Sequence, residues 1–146
     1  MRIYTIGFTK KSAEDFFNLI QNNNIECLID VRLNNVSQLA GFSKAKDLQY
    51  FLKKITNTEY IHNIEYAPTE DILNDYKKNR ISWDDYKIKY DKLITLREVE
   101  KIFINDSKPF KNICLLCSEP APQNCHRRLL AEYLKNKINN VNIIHL

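Results

Sequence analysis

The stretch Asn112-Ile113-Cys114-Leu115-Leu116-Cys117-Ser118-Glu119-Pro120-Ala121-Pro122-Gln123-Asn124-Cys125-His126-Arg127-Arg128 decides the reading of this chain. Asn112 to Cys117 is a strand-length apolar run, as expected of a strand covered on both faces. The Pro-containing segment breaks it, and Leu129-Leu130-Ala131-Glu132-Tyr133-Leu134 follows as a helix. A buried strand, a loop and a helix are the parts of a parallel α/β unit.

The rest of the chain repeats that grammar. Arg2-Ile3-Tyr4-Thr5-Ile6 reads as a first strand closed by Gly7, and Ser12 caps a helix with Phe16, Leu19 and Ile20 on one stripe. That helix runs out in Asn22-Asn23-Asn24, and Cys27 to Val31 is a second strand. Ser43 is expected to cap the helix carrying Leu48, Phe51, Leu52 and Ile55. Tyr60-Ile61-His62 is a short strand or an extended link. Helices follow from Thr69 and from near Ser82, and Val141 to His145 closes the chain as a strand. Strands separated by helices predict an α/β fold: a single three-layer domain, residues 1–146, with a mostly parallel sheet covered by helices. The chain's two glycines, Gly7 and Gly41, fall in loops after predicted strands, where close backbone approach or positive φ is useful. Making an ordinary turn is the plainer reading of each.

Composition narrows the class. At 146 residues, 44% hydrophobic and 27% charged, the chain has the make-up of one globular domain. No apolar run approaches the roughly 20 residues that span a bilayer. The start Met1 to Gly7 lacks a signal-peptide pattern, so no membrane partner and a cytoplasmic location are expected. Cys27 and Cys114 sit in apolar strands as core residues, and structural disulfides are not expected in that compartment. The formal charge of +4 is spread thinly without a Lys/Arg stripe, which gives nucleic-acid binding only weak support.

Candidate chemistry gathers at predicted strand ends. Cys114 and Cys117 form a CxxC on paper, but residues three apart in a strand point to opposite faces, which disfavours a redox pair. Cys117 ends the strand and Cys125 opens the next helix, so both can face one crevice. There a thiol feels the positive end of the helix dipole. Glu119 or His126 would transfer protons, a cysteine would serve as nucleophile, and Arg32 and Arg127 would hold an anion. The plainer reading makes Cys125, His126 and Arg127 surface or packing residues at a helix entry. Asp30 and Arg32, two apart in a strand, share a face, and either contact substrate or brace the loop from Leu33 to Phe42. His145 would reach the crevice if its strand neighbours that of Cys117. Cys117, Cys125, His126 and His145 have zinc-ligand chemistry, but no short ligand spacing demands a metal, and none is expected.

In combination these residues resemble the bacterial and archaeal family called domain of unknown function 488. The likeness runs through Thr5-Ile6-Gly7, Leu28-Ile29-Asp30-Val31-Arg32, Gly41-Phe42-Ser43-Lys44, Tyr66-Ala67-Pro68-Thr69, Trp83-Asp84-Asp85-Tyr86, Leu116-Cys117-Ser118-Glu119, Cys125-His126-Arg127 and Ile144-His145-Leu146. The resemblance implies an α/β fold and a motif-bearing crevice, and it adds Ser43 and Lys44 to the expected substrate-binding residues. The family usually has His after Gly7, where this chain has Phe8, so no role of that histidine carries over. A fainter likeness to rhodanese and cysteine phosphatase domains lies in a strand-end cysteine followed by a helix-opening arginine. Here the loop is longer and contains Pro120 and Pro122, so that likeness is one of geometry. The residues leave two classes open: an enzyme on a small anionic or nucleotide-like substrate, or a non-enzymatic module binding a ligand, metal or nucleic acid. No cofactor and no oligomeric state is read from the sequence.

Overall fold

In the computed structural model, which describes residues 1–36 and 40–146, five parallel strands form one sheet in the order β3-β2-β4-β1-β5. The strands are β1 (Arg2–Gly7), β2 (Cys27–Asp30), β3 (Glu59–His62), β4 (Asn112–Cys117) and β5 (Asn142–His145). The helices are α1 (Ala13–Asn22), α2 (Ala45–Phe51), α3 (Glu70–Lys77), α4 (Trp83–Leu96), α5 (Val99–Ser107) and α6 (His126–Lys137). The expected α/β architecture is present. All strand pairings among the described residues are parallel, where a mostly parallel sheet was expected.

Strand alternation divides the core in two. Ile3, Cys27, Ile29, Ile113 and Leu115 face α4, α5 and α6, with Ile72 and Tyr76 of α3 packed against them. Tyr4, Ile6, Leu28, Cys114 and Leu116 face Phe16, Phe17 and Ile20 of α1 and Leu48 of α2. Cys114 and Cys117 therefore lie on opposite faces, as the strand period requires.

The caps at Ser12, Thr69 and Ser82 are read correctly from the sequence, and Ser82 and Asp85 form a reciprocal capping box. Ser43 is a correction. Lys44 occupies the cap position of α2 without a side-chain bond, while Ser43 ends a 3-10 turn and its hydroxyl donates to the Ala40 carbonyl at 2.9 Å. Helix α5 was not anticipated: Glu98 caps it in a left-handed conformation (φ 51°) with no side-chain bond, so the usual start signal is missing. Left-handed turns elsewhere use Asn24, Asn57, Asn79 and Asn140, which accounts for a chain this poor in glycine. Among the described residues no helix is long and apolar enough to cross a membrane.

The connections place the site. From β2 the chain moves outward to β3, and from β4 it moves the other way, past β1, to β5. The carboxyl ends of β2 and β4 are thus the point where successive connections diverge, and there an open α/β sheet leaves a crevice.

Candidate active site

A cavity of about 160 Å³ fills that crevice. The end of β2 contributes Arg32, Leu33 and Asn34; the end of β4 contributes Cys117, Ser118 and Glu119; the start of α6 contributes Asn124, Cys125 and His126. Pro68, Leu73, Tyr76 and Tyr86 form the apolar side, with Lys77 beside them. Four expected catalytic residues, Cys117, Glu119, Cys125 and His126, are brought to one wall. The other expected residues divide between this cavity and positions away from it.

Arg32 lines the cavity and Asp30 stands behind it. Arg32 Nε donates to Asp30 Oδ1 at 2.8 Å and Nη2 to Oδ2 at 2.6 Å, a bidentate pair in which both residues are buried. Nη2 also donates to the Ser43 carbonyl at 2.8 Å, so Ser43 acts here through its backbone. Tyr60 donates its hydroxyl to Asp30 Oδ2 at 2.7 Å, and His62 Nε2–H donates to the Arg32 carbonyl at 2.9 Å. Phe8 underlies the group, its ring centroid 5.1 Å from the Arg32 guanidinium carbon. Nη1 of Arg32 is buried without a hydrogen-bond partner among the described residues. The carboxylate occupies only one edge of the guanidinium, so the bracing role leaves Nη1 unpaired. Of the loop from Leu33 to Phe42, residues 37–39 lie outside the described residues.

Cys117 is 6% exposed on the cavity floor. The Cys125 thiol, the backbone N–H groups of Ser118 and Glu119 and the Arg127 charge lie around its sulfur. These donors hold the Cys117 pKa below its ordinary value despite burial, whereas the same bond and burial push Cys125 well above it. These opposite directions favour loss of a proton from Cys117 before Cys125. His126 Nε2–H donates to the Val31 carbonyl at 2.8 Å, tying the first residue of α6 to the end of β2. Cys117 Sγ lies 3.9 Å from both ring nitrogens. A point equidistant from the two cannot lie along either lone pair, so the ring faces the sulfur without acting as its base. Cys117, Cys125 and His126 keep their ligand atoms within 4.8 Å of one another, a set chemically able to hold a metal. With Nε2 committed to Val31, the arrangement is a thiol pair beside an imidazole.

Arg127 stands elsewhere than expected. It is completely buried and is not among the residues lining the cavity. Its Nη1 donates to the Glu119 carbonyl and lies 3.6 Å from Cys125 Sγ, and Nη2 reaches the Pro120 carbonyl at 3.5 Å. No carboxylate among the described residues pairs with it. Gly7 makes this clamp possible: a Cβ there would lie 1.7 Å from the Glu119 carbonyl oxygen and 3.0 Å from Arg127 Nη1. Close approach, not positive φ, is the reason for that glycine.

His145 and Lys44 do not line the cavity. β5 pairs with β1, which separates it from β4, and His145 Nδ1 instead meets Thr5 Oγ1 at 2.7 Å. Sequence reasoning missed Tyr60, His62 and Tyr86. The first two were readable as polar residues alternating along a strand whose register sets His62 beside Asp30. Tyr86 has a helix-core spacing, and nothing in its pattern marks it as cavity-lining.

A family model described as Domain of unknown function DUF488 matches residues 12–134 of the chain. No curated protein and no solved structure matches it.

Proposed function

The chain belongs to the family described as Domain of unknown function DUF488, and we propose that it is an enzyme in which Cys117 attacks a small anionic or nucleotide-like substrate bound between β2 and β4. The observation that carries this reading is the setting of Cys117 Sγ: a buried sulfur lining the cavity, within 4.8 Å of Cys125 Sγ, which in turn meets the buried Arg127 guanidinium, a group with no carboxylate partner among the described residues. A charge buried as deeply as Arg127 requires a compensating anion. The Cys117–Cys125 pair, keeping one proton between two sulfurs, supplies it. The result is a thiolate exposed only toward the cavity, which is the form of cysteine that acts as a nucleophile.

Arg32 supports the substrate class. It lines the cavity, a guanidinium suits a carboxylate or phosphate, and its orientation is fixed by Asp30. Attack would form a bond from sulfur to the electrophilic atom and break that atom's bond to the leaving group. The Cys125 thiol is the nearest proton source for the departing group, and exposed Glu119 at the rim would return the proton from solvent. A module that only binds anions gains nothing from a thiolate beside them, since like charges repel. The sulfur makes sense in that place if it reacts.

The test is iodoacetamide labelling of the native protein as a function of pH, mapped by mass spectrometry. Cys117 should label with a midpoint below the free-cysteine value of about 8.5. A midpoint at or above that value removes the nucleophile role. Mass analysis of small molecules that co-purify with the wild type and with Arg32→Gln then reports the substrate class, an anion retained by the first and lost from the second.

A further inference from the structure

We propose that Cys117 and Cys125 form a thiol–disulfide couple, in which Cys117 reduces a small hydroperoxide and Cys125 resolves the oxidised sulfur. The proposal rests on Cys117 being the reactive thiolate of the preceding reading, and it adds a second reaction at the same atom. In the first step the Cys117 thiolate attacks the terminal oxygen of the O–O bond. A sulfenic acid forms on Cys117, and the alkoxide or hydroxide that leaves takes a proton from solvent. In the second step the Cys125 sulfur attacks Cys117 Sγ, the S–O bond breaks, and the hydroxyl departs with the Cys125 proton as water. Two electrons pass from the thiol pair to the peroxide, and a low-molecular-weight thiol returns the pair to its starting state.

The geometry favours this pair over any other in the chain. The two sulfurs lie within 4.8 Å, so an approach of less than about 3 Å brings them to the bonded distance of about 2.05 Å. Cys125 occupies the cap position of α6 but makes no side-chain cap bond, so no capping bond is lost when its sulfur turns toward Cys117. The other two thiols are excluded by position and protonation. Cys27 is completely buried, with its pKa pushed up to about 12 by burial, and Cys114 lies on the opposite face of the sheet.

The surroundings select the oxidant and set the direction of exchange. A cavity of about 160 Å³ with the reactive sulfur on its floor admits a small peroxide and excludes a protein disulfide. Arg32, lining the same cavity, supplies a positive charge that favours the departing oxygen anion. The reduced pair carries the negative charge that faces Arg127, whereas a disulfide is neutral and leaves that guanidinium without a counter-ion. The reduced form is stabilised by that difference, which makes the disulfide easy to reduce and the couple reversible.

The experiment treats the reduced protein with equimolar hydrogen peroxide, blocks remaining thiols with iodoacetamide in denaturant, and measures intact mass and linked peptides. The expected wild-type result is loss of two hydrogens, a Cys117–Cys125 linkage, and full recovery of both thiols with glutathione. Cys125→Ser, checked for folding by circular dichroism, should stop at one added oxygen on Cys117 that dimedone traps. If Cys125→Ser does not fold, the wild-type linkage decides. Wild type that gains oxygen without losing hydrogens overturns the resolving role of Cys125. Peroxide that leaves Cys117 untouched, in a sample where iodoacetamide alkylates it, overturns the proposal while the nucleophile reading stands. Failure of Cys117 to alkylate at any pH overturns both.

Discussion

Replacing Gly7 by alanine tests the construction of the site at its tightest contact. The added Cβ would lie 1.7 Å from the Glu119 carbonyl oxygen and 2.7 Å from its carbon. Gly7 is the last residue of β1, paired with Cys117 of β4, so its own backbone has little freedom to withdraw. The loop after β4 must therefore move, by about 1.6 Å to restore a normal carbon–oxygen contact of about 3.3 Å. That displacement strains a packed site, at about 1–3 kcal/mol. It also pulls the Glu119 carbonyl from Arg127, and a lost bond to a charged group costs about 1.5–3 kcal/mol. The sum is a destabilisation of about 2.5–6 kcal/mol. The same movement takes the Ser118 and Glu119 N–H groups from Cys117, so the labelling midpoint of that thiol should rise toward the free-cysteine value. Urea denaturation reads the first effect and native-state alkylation the second. A Gly7→Ala protein that loses less than about 1 kcal/mol and labels like wild type refutes the claim that this loop is held by close approach.

Two further outcomes follow from the buried charges. Asp30→Asn leaves Arg32 buried without its carboxylate and should cost about 3–5 kcal/mol in urea denaturation; a loss under about 1 kcal/mol would mean that Arg32 is compensated by something other than Asp30. The thiol pair should shape stability against pH. Cys117, lowered in the fold, stabilises fully above the unfolded value of about 8.5, and its contribution is lost as pH falls through its folded value. Cys125, raised in the fold, stabilises below about 8.5, and its contribution is lost as pH rises through its folded value. Their joint effect is greatest near pH 8.5, roughly the free-thiol pKa, against a background set by Arg127, Arg32, His126, Glu119, Tyr86 and Tyr90 around them. Urea titrations of wild type and a Cys117→Ala/Cys125→Ala double variant should differ most there, and parallel curves would contradict the shared-proton picture.

The sheet was legible because each strand announces itself by an apolar run and each cap by a side chain of known chemistry. Ser12, Thr69 and Ser82 act as local signals, and local signals survive in the fold. What the sequence withholds is non-local. Nothing near Glu98 marks α5, whose start rests on a left-handed residue and on Val99 and Phe103 finding the core. Strand order decided His145: its reach to the crevice depended on β5 neighbouring β4, and β1 took that place. The convergence of Cys117, Glu119, Cys125 and His126 was readable, since a strand end and a helix start joined by a short loop must face one another. The depth of Arg127 was not readable. Its position in the first turn of a helix suggests an outward cation, and only the crossing of the Glu119 carbonyl over Gly7 turns it inward.

Arg32 and Arg127 are both buried near the carboxyl ends of neighbouring strands, yet their charges are balanced in different ways. Arg32 has its own carboxylate two residues back in the chain, so its charge is settled whatever occupies the cavity. Arg127 has carbonyl oxygens and the Cys125 sulfur. Carbonyls solvate a guanidinium but do not neutralise it, and its Nε has no partner among the described residues, a deficit costing about 1–3 kcal/mol. A lysine would offer a point charge unable to span Glu119, Pro120 and Cys125 at once. A leucine would fill the space and remove the deficit, as hydrophobic replacements of buried ion pairs often do. A side chain that costs stability where an apolar one would not is explained by what it does to its neighbours. Here the neighbour is the shared proton of Cys117 and Cys125. In the proposed reaction, a charge held inside the core beside Cys125 favours the ionised nucleophile without itself lining the cavity. Under that proposal Arg32, already balanced by Asp30, is left for the ligand, and Arg127 acts on the sulfur pair.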